Sequence, residues 1–92
     1  MRDRIDPLST DFEIMYFVME QRMKKGACSV DEAVRKFGRD GVRALIAEGM
    51  LSETSFGMVS LTRAGAAVIR PDAVRLHIQS QIAREKNQGG SG

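Results

Sequence analysis

The chain has 92 residues, of which 42% are hydrophobic, and this is enough for one compact core and too little for two domains of ordinary size. Its 14 basic and 12 acidic side chains leave a net charge of +2, which permits a nucleic-acid partner without arguing strongly for one. One cysteine excludes an intrachain disulfide, and no apolar run is long enough for a membrane span or a signal peptide, so we expect a cytoplasmic protein.

A first helix is predicted from Thr10 to the residue before Gly26. Thr10 and Glu13 have the spacing of a capping box, in which each side chain accepts a hydrogen bond from an otherwise unpaired backbone N–H. Glycine is the residue that most often ends a helix in a left-handed conformation. The middle of this helix is apolar on nearly every side, which is more than one core-facing stripe requires. We therefore expect Met15 and Met19 to meet a second surface.

Two shorter helices are predicted next, separated by a tight turn at Gly38. Ser29 and Glu32 repeat the capping-box spacing at the start of the first of them. Asp40 is a candidate N-cap for the second, which we expect over residues 40–48. An apolar stripe marks the buried face of each helix: Val30, Ala33, Val34 and Phe37 in one, and Val42, Leu45 and Ile46 in the other.

From residue 51 the pattern changes to short alternating segments, which are typical of a small hairpin. Residues 51–54 and 58–61 are the predicted strands, and Phe56 lies in the turn between them. Thr62 can cap a short helix after the second strand. This helix must break before Pro71, because proline is tolerated in the first turn of a helix but not in its interior.

Pro71 is expected to open a last helix that reaches residue 86. Val74, Ile78 and Ile82 recur on it at every fourth position and form its apolar stripe. His77 has mixed polar neighbours there, and we expect it at the surface. The tail over residues 87–92 has no apolar side chain and is predicted to be disordered.

The order helix, helix, tight turn, helix, hairpin, helix is that of a winged helix. Residues 45–51 (LIAEGML) resemble the end of the recognition helix and the first wing strand in winged helix-turn-helix regulators of the MarR, PadR and ArsR type. Residues 61–65 (LTRAG) resemble the Leu-Thr-x-x-Gly segment after their wing. The resemblance covers residues 10–70. It implies a mainly α fold with a small β-hairpin, in which a three-helix core and wing follow an extension over residues 1–9 and precede a C-terminal helix over residues 71–86.

The resemblance also implies that the third helix enters the major groove of double-stranded DNA. Arginine suits this role because its guanidinium can bind guanine or phosphate in a bidentate manner. The candidate DNA contacts are Arg35, Lys36, Arg39, Arg43 and Arg63. The alternative is a solvated face, on which Asp40 pairs with Arg43 within the helix.

A homodimer is the second expectation that follows from the resemblance, since flanking elements form the two-fold contact in such regulators. The candidate interface residues are Met15, Met19, Val74, Ile78 and Ile82. The alternative is that the first and last helices pack on each other within one chain.

Catalysis is not expected, because a nucleophile needs a positioned base and a metal needs several ligands. The chain has one His and one Cys, and we expect Cys28 to be a small buried hydrophobe and the protein to need no metal or other cofactor.

The resemblance thus implies a sequence-specific DNA-binding protein, a transcriptional regulator that acts as a homodimer. The predicted wing departs from this pattern, because residues 51–61 contain no Lys or Arg where many such regulators contact DNA. That departure favours the alternative of a winged-helix protein–protein interaction module, for which Phe56 is a candidate anchor. The other interpretation of Phe56, which we favour from the sequence, is that the short turn folds back over its own core.

Overall fold

The structure is a computed structural model that describes the backbone of residues 6–90 and the side chains of residues 6–84. Seven elements follow one another: α1 (Thr10–Lys25), α2 (Val30–Phe37), α3 (Arg39–Ala47), β1 (Leu51–Glu53), β2 (Val59–Leu61), α4 (Arg63–Val68) and α5 (Pro71–Gly90). The chain is therefore mainly helical with one small antiparallel hairpin, as predicted. Within the described range, no helix is long and apolar enough to cross a membrane.

The start of α1 differs by one residue from the prediction. Ser9 is extended, and its Oγ accepts a hydrogen bond from the backbone N–H of Phe12 at 3.3 Å. Thr10 is the first helical residue, so the predicted Thr10–Glu13 capping box is wrong. Two adjacent hydroxyl residues can both cap, and the one with extended backbone does so. The helix ends as predicted at Gly26, which has a φ of 82°.

Gly38 is the only residue between α2 and α3. Ser29 caps α2 as predicted, since its Oγ accepts from the Glu32 N–H at 3.1 Å. Gly38 has a φ of 94° and closes α2 through its N–H to the Val34 carbonyl. It is also the N-cap of α3, so the prediction that Asp40 caps this helix is wrong. Asp40 lies instead in the first turn, where a carboxylate is favoured by the helix dipole.

The hairpin is held to the loop between α1 and α2. In the antiparallel register Leu51 lies opposite Leu61 and Glu53 opposite Val59. The Val59 N–H donates to the Cys28 carbonyl at 2.8 Å, and the Val30 N–H donates to the Gly57 carbonyl at 2.8 Å. These long-range hydrogen bonds fix the hairpin relative to the helices.

Thr62 caps α4 as predicted, and the chain breaks at Ile69 and Arg70 before Pro71 opens α5. The backbone of α5 remains helical to Gly90, although the sequence predicted disorder from residue 87. Extending an existing helix adds one hydrogen bond for each residue fixed and avoids the cost of nucleation. The rest of the predicted tail, residues 91 and 92, lies outside the described residues.

The core lies between α1, α3 and the hairpin. Its fully buried side chains include Phe12, Ile14, Met15 and Val18 from α1 and Val42 and Leu45 from α3. Met15 is 0% exposed, so its side chain cannot contact a second copy of the chain. This differs from the prediction that Met15 lies in a dimer interface. The wide apolar surface of α1 is used instead by the several elements that pack around it.

Candidate functional site

One face of α3 is exposed along its whole length. The helix buries Val42 and Leu45, each 0% exposed, because they project towards α1 and the hairpin. The remaining positions put five side chains in solvent: Arg39, Asp40, Arg43, Ala44 and Ala47. This is the outward face expected from the helical periodicity. It combines two guanidinium groups, one carboxylate and two methyl groups, and the backbone of α3 is least covered at the two alanines.

Arg43 is bound to the hairpin. Its Nη1 lies 2.8 Å from Oε1 of Glu53, the last residue of β1. The alternative considered from the sequence was an ion pair with Asp40, but the structure pairs Arg43 with Glu53. The contact fixes the guanidinium on the side of α3 that faces the hairpin. Both side chains remain partly exposed, so the pair can open to an anion at little cost.

The two cations at the end of α2 have different surroundings. Arg35 is exposed. The ammonium of Lys36 lies 5.4 Å from the ring centroid of Phe17 and 5.7 Å from that of Phe37. Lys36 is therefore directed towards aromatic side chains of α1 and α2, in a cation–π arrangement. Both side chains are exposed, but only Lys36 has an aromatic partner in the part of the chain that the structure describes.

The hairpin presents an apolar tip. Phe56 is 88% exposed, and the turn that carries it is held by Thr54, whose Oγ1 accepts from the N–H groups of Phe56 and Met58 at 3.2 Å. Arg63, the first residue of α4, is exposed next to the base of the hairpin. Arg22 of α1 also lies beside the hairpin, where it lines a small groove with Thr54 and Met58.

Of the remaining predicted interface residues, Ile78 and Ile82 lie on the outer side of α5, whereas Val74 packs against the core. Ile78 is 43% exposed, Ile82 is 49% exposed and Val74 is half-buried. The buried residues of α5 are Ala73 and His77 instead, and His77 and Gln81 contact α1. Met19 is half-buried and lines a shallow groove with Met23 and Leu61.

His77 is buried, and the prediction that it lies at the surface is wrong. It is 5% exposed and packs between two rings of α1, with centroid distances of 5.4 Å to Phe12 and 5.1 Å to Tyr16. Its position on a helix with polar neighbours concealed this, because the neighbours that bury it are distant in sequence. Glu13 and Gln81 join the same helix pair through a 3.0 Å hydrogen bond.

Cys28 is 1% exposed, as predicted for a buried hydrophobe. Burial raises the pKa of its thiol, and the nearby carboxylate of Glu32 adds to this shift. A covered and protonated thiol is a poor nucleophile. Across the part of the chain that the structure describes, no three His, Cys, Asp or Glu side chains are grouped to hold a metal ion.

No family model matches this chain, and no curated protein or solved structure matches it. The resemblance to winged-helix regulators therefore rests on residues 45–51 and 61–65. In the second of these segments the Thr62 Oγ1 accepts from the Gly65 N–H at 3.0 Å and donates to the carbonyl group of Gly49. The two segments are thus in direct contact, and together they join α3 to the hairpin and α4.

Proposed function

We propose that this chain is a cytoplasmic, homodimeric DNA-binding protein of the winged-helix type that regulates transcription. The observation that carries the proposal is the outward face of α3, with Arg39 and Arg43 exposed on a helix that starts one residue after α2. A helix presented in this way fits the major groove of B-DNA.

The small side chains on the outward face of α3 also support the proposal that this helix enters the major groove. Ala44 and Ala47 leave room for the backbone of α3 to approach the base edges, and an alanine methyl can contact the methyl group of thymine. Arg39 stands in the first turn of α3, where the helix dipole also favours an anion. Asp40 opposes this attraction, so most of the affinity must come from the arginines.

The decisive experiment is a fluorescence-anisotropy titration of a labelled random duplex at two salt concentrations. Each phosphate that the protein neutralises is expected to contribute about −0.9 to the slope of log K against log salt concentration. A slope of several units supports the proposal. An absence of binding at low salt contradicts it.

Replacing Glu53 with Gln is expected to strengthen DNA binding by about threefold to tenfold at low salt. The change removes a carboxylate that competes with phosphate for Arg43, to which it is bound at 2.8 Å. Glu20→Gln is the matched control, because it removes the same charge from α1. If both variants bind DNA like the parent chain, Arg43 is not at the interface.

The two-fold contact is proposed to form through the outer stripe of α5, since Ile78 and Ile82 are each more than 40% exposed. We expect Ile78→Ser/Ile82→Ser to shift the mass measured by light scattering from dimer to monomer. Leu76→Ser is the control, because Leu76 is 52% exposed but lies about 200° around the helix from Ile78. A double variant that remains dimeric would place the two-fold contact elsewhere.

One observation favours a second function, that of a protein–protein interaction module. Phe56 is 88% exposed on a turn held by four hydrogen bonds around Thr54, and a large aromatic side chain on a rigid turn is typical of an interface anchor. This function predicts no salt-dependent binding to duplex DNA, so the same titration separates the two proposals.

A further inference from the structure

A groove with aromatic walls lies between α1, the end of α2 and α5. Its volume is about 220 Å³, which is the space of about seven water molecules. Three helices contribute its lining: Glu13, Tyr16, Phe17 and Glu20 from α1, Lys36 and Phe37 from α2, and His77 and Gln81 from α5. The groove is distinct from the outward face of α3, which shares none of these residues.

The rings of this groove already bind a cation within the chain. Phe17 and Phe37 meet edge to face, with centroids 5.5 Å apart and planes at 75°. The ammonium of Lys36 lies within 6 Å of both centroids. This is the distance at which the negative face of an aromatic ring attracts a cation. The faces of the Phe17 and Phe37 rings are therefore arranged to attract an ammonium group. In the chain by itself, the ammonium of Lys36 fills this position.

The charges around the groove have the complementary sign. Glu13 and Glu20 are about two helical turns apart on the same side of α1 and supply two carboxylates against the one ammonium of Lys36. Gln81 holds Glu13 in place through a 3.0 Å hydrogen bond. Among the side chains that the structure describes, the one ionic partner of Glu20 is Lys24, at a loose 4.0 Å, which leaves its carboxylate available.

The base of the groove is polar as well as aromatic. His77 lines it and is 5% exposed, and its imidazole makes ring contacts but no hydrogen bond with any other residue of the described part. A bound molecule with a polar group can thus hydrogen bond to this ring while its apolar part covers Phe17.

We propose that this groove is a binding site for a small organic ammonium ion with an aromatic body. Its ammonium group takes the place of the Lys36 cation over the ring faces, in a groove that the carboxylates of Glu13 and Glu20 also line. This site goes beyond the proposed DNA-binding function and does not depend on it.

The test is a titration of the full chain, followed by ¹⁵N–¹H NMR, with three probes of nearly equal shape and different charge. They are 2-phenylethylammonium, neutral 2-phenylethanol and anionic phenylacetate. The expected result is saturable shifts for the ammonium probe at Phe37, His77 and Gln81, with weaker binding of the alcohol and none of the acid. Equal or tighter binding of phenylacetate, shifts confined to other surfaces, or no saturable binding of the ammonium would overturn the proposal.

Two variants test the roles assigned to the charges. Glu20→Gln is expected to weaken binding of the ammonium probe about fivefold, whereas Lys36→Met is expected to strengthen it, because the internal competitor is gone. Asp31→Asn is the matched control, since it removes an exposed carboxylate outside the groove. If Glu20→Gln has no more effect than this control, or if Lys36→Met weakens binding, the proposed site is wrong.

Discussion

Replacing Gly65 with alanine is expected to destabilise the fold by about 3 kcal/mol, because the added methyl group meets backbone rather than a movable side chain. A Cβ at this position would overlap the carbonyl oxygen of Met50, lie 3.1 Å from its carbonyl carbon and lie 3.3 Å from Cδ2 of Leu61. To relieve the overlap, α4 must move away from the corner between α3 and β1.

Movement of α4 has a second cost, because the same corner holds its N-cap. The Thr62 N–H donates to the Met50 carbonyl at 3.1 Å, and the Thr62 Oγ1 accepts from the Gly65 N–H at 3.0 Å. Losing such a cap costs about 1 kcal/mol on its own. The glycine in the segment LTRAG is therefore required by the close approach of α4 to a carbonyl group.

Thermal and urea unfolding followed by circular dichroism would measure this effect. For a domain of this size, 3 kcal/mol corresponds to a fall in Tm of about 12–24 °C. Gly41→Ala is the matched control, because a Cβ there meets only the Cδ1 methyl of Ile14 at 3.1 Å. Alanine also favours a helix interior over glycine by about 1 kcal/mol, so we expect little net change for the control. A Gly65→Ala variant as stable as the parent would show that α4 does not pack on the Met50 carbonyl.

The elements that could be predicted from the sequence are those set by chemistry within three or four residues. Ser29 and Thr62 cap helices where predicted because a hydroxyl group and the N–H three residues later suffice to define the motif. Pro71 opens α5 for the same local reason. The exposed face of α3 followed from periodicity alone, once its buried residues Val42 and Leu45 had been identified.

The features that could not be predicted depend on packing between distant segments. His77 is buried only because α5 docks against Phe12 and Tyr16, which lie more than 60 positions earlier in the chain. The apolar stripe of α5 would have suggested the opposite orientation. Arg43 pairs with Glu53 rather than Asp40 because the hairpin brings β1 beside α3, a placement that no local spacing encodes.

The candidate groove was missed for the same reason. Its carboxylates, rings and imidazole come from three helices, and none of the three segments is unusual alone. A lysine beside a phenylalanine, as at Lys36 and Phe37, is too common a pair to indicate a cation site. The one signal in the sequence is that Glu13 and Tyr16 interrupt the otherwise apolar run over residues 12–19.

Replacing both Arg39 and Arg43 with alanine is expected to weaken binding to duplex DNA by at least about 30-fold, because each arginine contact with a base or phosphate contributes about 1–3 kcal/mol. The fold should be retained, because both arginine side chains are exposed. The Arg43–Glu53 ion pair, which the change removes, is partly exposed and contributes little to stability. Anisotropy measured over a range of salt concentrations would distinguish contacts with phosphates from contacts with bases. If the arginines bind phosphates, the salt slope falls by about one unit for each of them; if they bind bases, the slope changes less and discrimination between sequences is lost.

The control for this double variant must remove the same charge from another surface. Arg22→Ala/Lys24→Ala does so at the end of α1, where both side chains are exposed. If the control weakens DNA binding as much as Arg39→Ala/Arg43→Ala, the attraction reflects net charge and not the face of α3. If only the α3 variant loses binding while its unfolding curve stays unchanged, the recognition surface is assigned. If the α3 variant keeps the DNA affinity of the parent chain, the two arginines have no role in binding DNA. The exposed Phe56 would then favour the second proposed function, a protein–protein interaction module.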